Sequence, residues 1–352
     1  MATFGNYVQS VTQDKIIPSV IDGILSGNVL TYRLLGNGKR WDGEALKKPM
    51  MYQKNSSGGS YSGMDTLSTA QVATRVLFNY DPRQWYQSVV LSNLDLAVNN
   101  TQSRVLSLLQ VEMETAKLSM MDDIGTAFYA DGTGNSSKEF NGLANLVDDG
   151  SVTSTIGGLT RTDYSTALTS DVTTSVGALT TSQMATTFDA VKIGSDSPTL
   201  IVTTPTVWSY YEALLQPTVR ANYDALGYPQ VGKRQRFSSK AALNGEIGFD
   251  ALMYRGTPVV SDEKCTAGYM YFLNEKYLEW YGLKHPQHGE VTVKVNNIQT
   301  NALDEYTPAV GCAWSGLKEP VNQDAEIGQI FLYGNLVNWS PRHQGVLQGI
   351  TS

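Results

Sequence analysis

The segment around residue 285 contains side chains that could bind a metal ion and support catalysis. His285, His288 and Glu290 put two imidazoles and a carboxylate within six residues, and these are the donor types that zinc hydrolases use. Zinc hydrolases hold their two histidines on one face of a helix, whereas Pro286 and Gly289 favour a turn here. The residues leave two interpretations open, a metal-dependent hydrolase and an exposed loop, and the spacing favours the loop.

Other catalytic patterns are weaker. The Gly-Asn-Gly-Lys run at 36–39 resembles a phosphate-binding loop superficially, but Arg33 stands where a Walker motif needs glycine. Asp122 and Asp123 are neighbours on a predicted helix and point in different directions, so they do not predict a pair that shares a proton. The sequence contains neither a nucleophile elbow nor a kinase signature set. We therefore expect no catalytic residues, no cofactor and no metal ligands.

The charge balance restricts binding to nucleic acid. The 352 residues carry a net charge of -7, which argues against a surface that binds phosphates everywhere. A local cluster around Phe237, made of Lys233, Arg234, Arg236 and Lys240, could contact nucleic acid without reading its sequence. The alternative is a solvated turn or a contact with an acidic neighbour.

The two cysteines and the distribution of apolar residues indicate in which compartment the chain is expected to function. Cys265 and Cys312 are too few for a disulfide framework in a chain of this length, so we expect two reduced thiols. The sequence shows no signal peptide, and no window of about 18 apolar residues that could span a membrane.

The longest periodic segment predicts one long helix, over about residues 100–130 within 99–132. Its apolar positions are spaced by three and four residues, which places them on one helix face. They are Val105, Leu109, Met113, Ala116, Met120, Ile124 and Ala127. Asn99 or Asn100 can cap the start and Gly132 can end the helix in a left-handed conformation. At 1.5 Å per residue the helix would be about 45 Å long.

The segment before this helix predicts a long hairpin. Residues 45–53 and 74–90 are strand-like, and residues 55–73 form a Ser-, Gly- and Thr-rich tip between them. A hairpin buries little by itself and needs a surface to lie on. Part of that surface could belong to a neighbouring subunit.

The distribution of charge suggests which surface of a neighbouring subunit the hairpin contacts. Residues 1–60 hold seven Lys and Arg against four Asp and Glu, whereas the long helix is acidic. Basic hairpin and acidic helix could attract each other across subunits; the alternative is two solvated faces. The candidate contact residues are Lys47, Lys48, Lys54, Arg75, Arg83, Glu112, Glu114, Asp122 and Asp123.

The second half predicts a compact α+β unit. Helices are expected at 182–193 and 205–216, and strands at 199–203, 249–254, 259–261, 269–273 and 278–281. Further strands at 290–296 and 327–337 can pair with the part of the chain around the long helix. We therefore interpret the compact unit as an insertion into the part of the chain around the long helix.

Several short runs, in this order, resemble a known family. The runs are Phe-Asn-Gly-Leu at 140–143, Gly-Gly-Leu-Thr-Arg at 157–161, Thr-Thr-Pro-Thr-Val-Trp at 203–208, Tyr-Arg-Gly-Thr-Pro-Val-Val-Ser-Asp at 254–262 and Tyr-Phe-Leu-Asn at 271–274. Together with the order of elements they are similar to the major capsid proteins of tailed bacteriophages, with the Hong Kong 97-type fold. Thr160 departs from the family, which usually has an acid there.

The resemblance implies an α+β capsid fold with four parts. These would be an N-terminal arm and short helix at 1–35, an extended hairpin loop at 36–91, a peripheral domain with the long spine helix at 92–182 and 284–352, and an inserted axial domain at 183–283. The chain would self-assemble as hexamers and pentamers into the icosahedral shell around double-stranded DNA, in a virion assembled in the host cytoplasm. An encapsulin-like compartment is the alternative with the same fold.

The resemblance also implies partners and one covalent reaction. The partners would be other copies of the chain, a portal protein, scaffolding or decoration proteins, and DNA that is contacted non-specifically. No membrane and no cofactor are implied. Some members cross-link neighbours through a lysine in the hairpin tip. Residues 55–73 contain no lysine, and Lys54 lies only at their edge, so we do not expect that bond here.

Overall fold

The computed structural model describes residues 28–98, 102–226, 251–285, 293–297, 302–306 and 311–352. The α-helices in these residues are α1 (Val29–Gly36), α2 (Asn93–Val98), α3 (Gln102–Ala127), α4 (Leu143–Leu146), α5 (Ser165–Leu168), α6 (Thr181–Val191) and α7 (Pro205–Leu226). In addition, Gly134–Ser137 form a single turn with left-handed residues, and Pro341–His343 form a short 3-10 helix. The first strands are β1 (Lys39–Arg40), β2 (Leu46–Met51), β3 (Arg75–Tyr80), β4 (Arg83–Ser92), β5 (Thr155–Ile156), β6 (Leu159–Thr160), β7 (Asp171–Thr173) and β8 (Leu200–Thr203). The later strands are β9 (Ala251–Tyr254), β10 (Thr257–Ser261), β11 (Met270–Leu273), β12 (Leu278–Gly282), β13 (Val293–Asn297), β14 (Ala302–Tyr306), β15 (Cys312–Trp314), β16 (Ala325–Asn338) and β17 (Gly345–Leu347).

A five-stranded sheet is built around the 14-residue strand β16. Strand β4 pairs antiparallel along one side of β16, with Gln87 opposite Ile330, while β12 and β15 pair along the other side. Strand β1 joins β12 in parallel. The predicted strand at 327–337 is therefore confirmed, and it lies at the centre of this sheet.

A six-stranded sheet has the order β7-β17-β11-β8-β10-β9. Its middle strands β8 and β11 are buried at every residue, as expected for strands covered on both faces. Strands β7 and β17 come from outside 183–283, whereas β12 from within that interval belongs to the other sheet. Most predicted strands are confirmed, but the interval 183–283 does not contain the whole of this sheet.

Helix α6 begins with a capping box. The Thr180 hydroxyl accepts from the Gln183 amide at 3.2 Å, and the Gln183 side chain accepts from the Thr180 amide at 2.9 Å, which satisfies two donors at the helix start. The helix predicted at 205–216 extends to Leu226 as α7. Both predicted helices are therefore present, the second longer than expected.

Helix α3 confirms the predicted apolar face. From Leu109 to Ala127 every predicted apolar position is 5% exposed or less. The predicted end is wrong: the helix stops at Ala127, and the Ala130 amide bonds back only three residues, to Ala127. Gly132 has φ +75° but lies beyond the helix. The chain turns early because Phe128 and Phe140 both pack on Trp280, at ring distances of 5.6 and 5.1 Å.

Gly142 permits this turn through its lack of a side chain. A Cβ at Gly142 would lie 2.2 Å from the Ala130 carbonyl oxygen and 2.5 Å from that of Ala127. We expect Gly142→Ala to lower the free energy of unfolding by about 3 kcal/mol, because backbone atoms at the helix end must move. Urea unfolding measures the change. Gly58→Ala is the control, since nothing lies within 4 Å of its Cβ position, and equal midpoints for the two variants would contradict the prediction.

The hairpin is shorter than predicted. Strands β2 and β3 pair antiparallel, with Pro49 opposite Leu77, and residues 53–73 form the tip. The predicted strand at 74–90 is wrong as a single element, because Pro82 interrupts it and its second half is β4 in the five-stranded sheet. Proline has no amide hydrogen and cannot donate a ladder hydrogen bond at its own position. Phe78 and Tyr80 fix the base of the hairpin against Trp339, at ring distances of 5.9 and 5.5 Å.

A buried arginine, the only cation between residues 148 and 180, organises the tract before α6. Arg161 is 1% exposed, and its Nε lies 4.0 Å from Oδ2 of the equally buried Asp148. Burial lowers the pKa of Arg161, and Asp148 opposes that change. The guanidinium donates to four backbone carbonyls, those of Asn145, Asp148, Thr153 and Leu168. One side chain thereby joins four points of the chain between Asn145 and Leu168.

Candidate assembly surface

The hairpin tip exposes large apolar side chains. Tyr61, Met64 and Leu67 are 68%, 101% and 59% exposed, and residues 53–71 are exposed at every position except Ser57. Contiguous exposed apolar surface on a soluble protein marks an interaction site. The tip therefore has the character of a segment that is covered in an assembly.

The base of the hairpin has two different faces. Directly opposed residues of an antiparallel pair lie on the same face, so Lys47, Met51, Arg75 and Leu77 share the solvent face, and all four are exposed. Lys48 lies on the other face, and its Nζ sits 4.8 Å from the centre of the Trp339 ring. The outward face therefore combines two cations with apolar side chains, and Lys48 instead packs on its own subunit.

The acidic residues of α3 do not form one free patch. Glu114 and Asp123 are exposed and Glu112 is half-buried, but Asp122 forms an ion pair with Lys264 of the same chain. Partial burial, followed by the proximity of Asp122, raises the pKa of Asp123. Val111 and Leu118, which are 55% and 53% exposed, show that the outward face of α3 is also apolar.

The remaining predicted contact residues differ in their partners. Arg83 donates to the Ser137 carbonyl, in a left-handed turn where Asn135, Ser136 and Ser137 all have positive φ. Lys54 is exposed at the start of the tip. Contact between the basic and acidic groups across subunits stays a prediction.

The two histidines that the structure describes, His285 and His343, are buried against aromatic side chains. His285 is 9% exposed and packs against the rings of Phe331 and Tyr333, at 5.4 and 5.0 Å, so the expectation of an exposed loop is wrong for this residue. His343 is buried and stacks on Tyr277 at 4.4 Å. Both contacts join segments that are distant in sequence, β16 for His285 and the turn before β12 for His343, so local spacing could not reveal them.

Two other candidate sites fall outside the described residues. These are His288 with Glu290, and the basic cluster of 233–240. Among the residues that the structure does describe, no group of three His, Cys, Asp or Glu side chains could hold a metal ion. In the same part of the chain no helix is both long and apolar enough to cross a bilayer.

Both cysteines are free and buried. Burial raises the pKa of the Cys312 thiol to about 12 and also raises that of Cys265. Because the thiolate is the nucleophile, we expect a disulfide reagent at pH 8 to label neither thiol in the native protein. Two thiols per chain should react after unfolding in guanidinium. Labelling of the folded protein within minutes would show that these sites are accessible.

The fold of this chain resembles that of known proteins, whereas its sequence does not. No family model and no curated protein matches the sequence. The capsid of cyanophage A-1(L) matches with a TM-score of 0.63 over 92% of this chain and 93% of that one, at 15% identity. The chain has a phage capsid fold.

Two further structures share this capsid fold. The capsid of Myoviridae phage XM1 matches with a TM-score of 0.50 at 10% identity, over 92% of each chain. The holo-SrpI encapsulin complex from Synechococcus elongatus PCC 7942 also matches with a TM-score of 0.50, at 13% identity, over 91% of this chain and 87% of that one. The α+β fold class inferred from the sequence is confirmed.

Proposed function

We propose that the chain is the major capsid protein of a tailed phage and self-assembles into the shell of the head. The observation that carries this proposal is a capsid fold whose hairpin tip exposes Tyr61, Met64 and Leu67. A monomer gains nothing from these exposed side chains, whereas a neighbouring subunit would remove them from water. The role is structural and involves no catalysis.

We assign the parts as in the Hong Kong 97-type fold. Residues 1–35 are assigned to the N-terminal arm and short helix, and the hairpin loop lies within 36–91. Apart from β7, β12 and β17, which pair in the other domain's sheet, the peripheral domain comprises 92–182 and 284–352, with α3 as its spine, and the axial domain comprises 183–283. The alternation of buried and exposed positions along α3 supports a spine that packs on its own subunit with one face and is available to a neighbour with the other.

The assembly proposed for this chain is an icosahedral shell of hexamers and pentamers. It encloses double-stranded DNA, which the subunits contact non-specifically, and it includes a portal protein and scaffolding or decoration proteins. Assembly takes place in the host cytoplasm. The expected pairing places the outward hairpin face, with Lys47 and Arg75, on the face of a neighbour's α3 that carries Glu114, Val111 and Leu118, because opposite charge and apolar surface both match.

An encapsulin-like compartment is the second candidate, favoured by the encapsulin match. Electron microscopy of the purified protein, followed by analysis of particle contents, separates the two. Closed particles produced during infection that hold genomic DNA support the phage shell, whereas a folded protein cargo supports the compartment. A chain that forms no particles in cells or after purification would contradict both.

A further inference from the structure

Strand β4 has a free edge. In the described part of the chain it pairs with β16 alone. Backbone donors and acceptors of a strand alternate between its two edges, so every second residue of β4 directs them away from β16. Proteins usually protect such an edge with lysine, proline or a bulge. From residue 84 to residue 92 the strand contains no charge and no proline.

This edge borders an open cleft of about 340 Å³. One wall is formed by residues 84–88 of β4, and the opposite wall carries Asp123, Asn135, Lys138 and Glu139. Tyr86 is 63% exposed on the β4 side. An extended chain could lie in the cleft and bond to the strand edge, as added strands do in peptide recognition.

One limb of the hairpin tip has the complementary character. Residues 66–73 read Thr-Leu-Ser-Thr-Ala-Gln-Val-Ala, with no charge, no glycine and no proline. Every residue of this limb is exposed except Val72, which is half-buried. Its described backbone bonds are few and involve side chains, such as the Ala70 carbonyl accepting from Ser57 Oγ at 2.6 Å. Eight extended residues span about 26 Å, close to the length of the free β4 edge.

We propose that residues 66–73 of one copy add to the free edge of β4 in a neighbouring copy as an extra antiparallel or parallel β-strand. Both partners carry unpaired backbone groups, and joining them replaces exposed edges with ladder hydrogen bonds. The neighbour's Tyr86 and the limb's Leu67 are then both covered. This inference rests on the proposed function, because it identifies the surface through which shell subunits bind one another.

Cysteine cross-linking of assembled particles tests the pairing. Single cysteines at Thr66, Leu67, Ser68, Thr69 and Ala70 are each combined with Gln84→Cys, Tyr86→Cys or Ser88→Cys. Cys265 and Cys312 stay in place because they are buried. The matched control combines the same limb cysteines with Val321→Cys, which is fully exposed on another loop. After mild oxidation, non-reducing gels and mass spectrometry locate the bonds.

We expect linked chains of two or more copies, at a yield at least tenfold above the Val321 control. Reactive limb positions should alternate with unreactive ones, because side chains of a strand alternate between two faces. Intact particles without such links, or links without alternation, would overturn strand addition and leave the proposed function standing. Links from β4 to a cysteine introduced at Ser10, in the N-terminal segment, instead of to the limb would also overturn it. Failure to form particles would contradict the proposed function itself.

Discussion

Arg161→Ala is expected to lower the free energy of unfolding by about 3–5 kcal/mol. The substitution leaves the carboxylate of Asp148, which is also 1% exposed, without its buried counter-charge, and removing one partner of a buried pair has effects of this size. It also removes the donors of four backbone carbonyls that lie around the guanidinium. Chemical denaturation followed by circular dichroism measures the loss.

Two further variants make this prediction specific. Arg161→Lys should recover little stability, because an ammonium group cannot reproduce the planar fork that reaches several carbonyls. Thr162→Ala, at the exposed neighbouring position, should stay within about 0.5 kcal/mol of the parent. An Arg161→Ala protein as stable as the Thr162→Ala control would show that the buried arginine does not organise this tract.

Reversing the outward cations of the hairpin is expected to block assembly without unfolding the subunit. The variant combines Lys47→Glu, Lys54→Glu and Arg75→Glu, whose side chains are exposed. If they meet acidic groups of a neighbour, reversal turns attraction into repulsion. We expect the protein concentration needed for assembly to rise at least tenfold. The parent's assembly should weaken with added salt more strongly than that of a charge-neutral variant.

The control reverses three exposed cations elsewhere, at Lys192, Lys284 and Lys318. Light scattering against protein concentration compares the two variants, and thermal unfolding confirms that both subunits are folded. Equal assembly of both would refute the charge pairing. Lys48→Glu should behave differently from the outward reversals and lower subunit stability, because Lys48 packs over Trp339.

The regular elements could be predicted from the sequence because their patterns are local. The spacing of apolar residues predicted the buried face of α3 from Leu109 to Ala127, and burial confirms it. The capping box at Thr180 and Gln183 marks the start of α6 in the same way. Pro82 was also visible in the sequence, and giving it full weight would have divided the predicted strand at 74–90 correctly.

Features that depend on distant contacts could not be predicted in this way. Asp122 is paired with Lys264, 142 positions away, and His285 is buried by rings of β16. The side that Lys48 takes depends on the pairing register of β2 with β3, since a shift of one residue would reverse both faces. Arg161 gave one signal, as the only cation between residues 148 and 180, but its carbonyl partners come together only in the fold.

The hairpin connects these observations with the proposed shell. Tyr52 and Thr74 are joined by a backbone hydrogen bond of 3.1 Å, so residues 53–73 can be replaced by an Asn-Gly turn that suits a two-residue hairpin. The replacement removes Tyr61, Met64 and Leu67 together with the limb at 66–73. It leaves strands β2 and β3 and the core around Trp339 in place.

Sedimentation velocity of the intact and hairpin-shortened chains tests whether the chain forms a shell and whether the hairpin tip is needed for it. We predict that the intact chain sediments as closed particles of many copies. The shortened chain should unfold at the same temperature as the intact one but sediment as single subunits or small oligomers. An intact chain that remains monomeric at every protein and salt concentration, including when recovered from cells, would contradict the account.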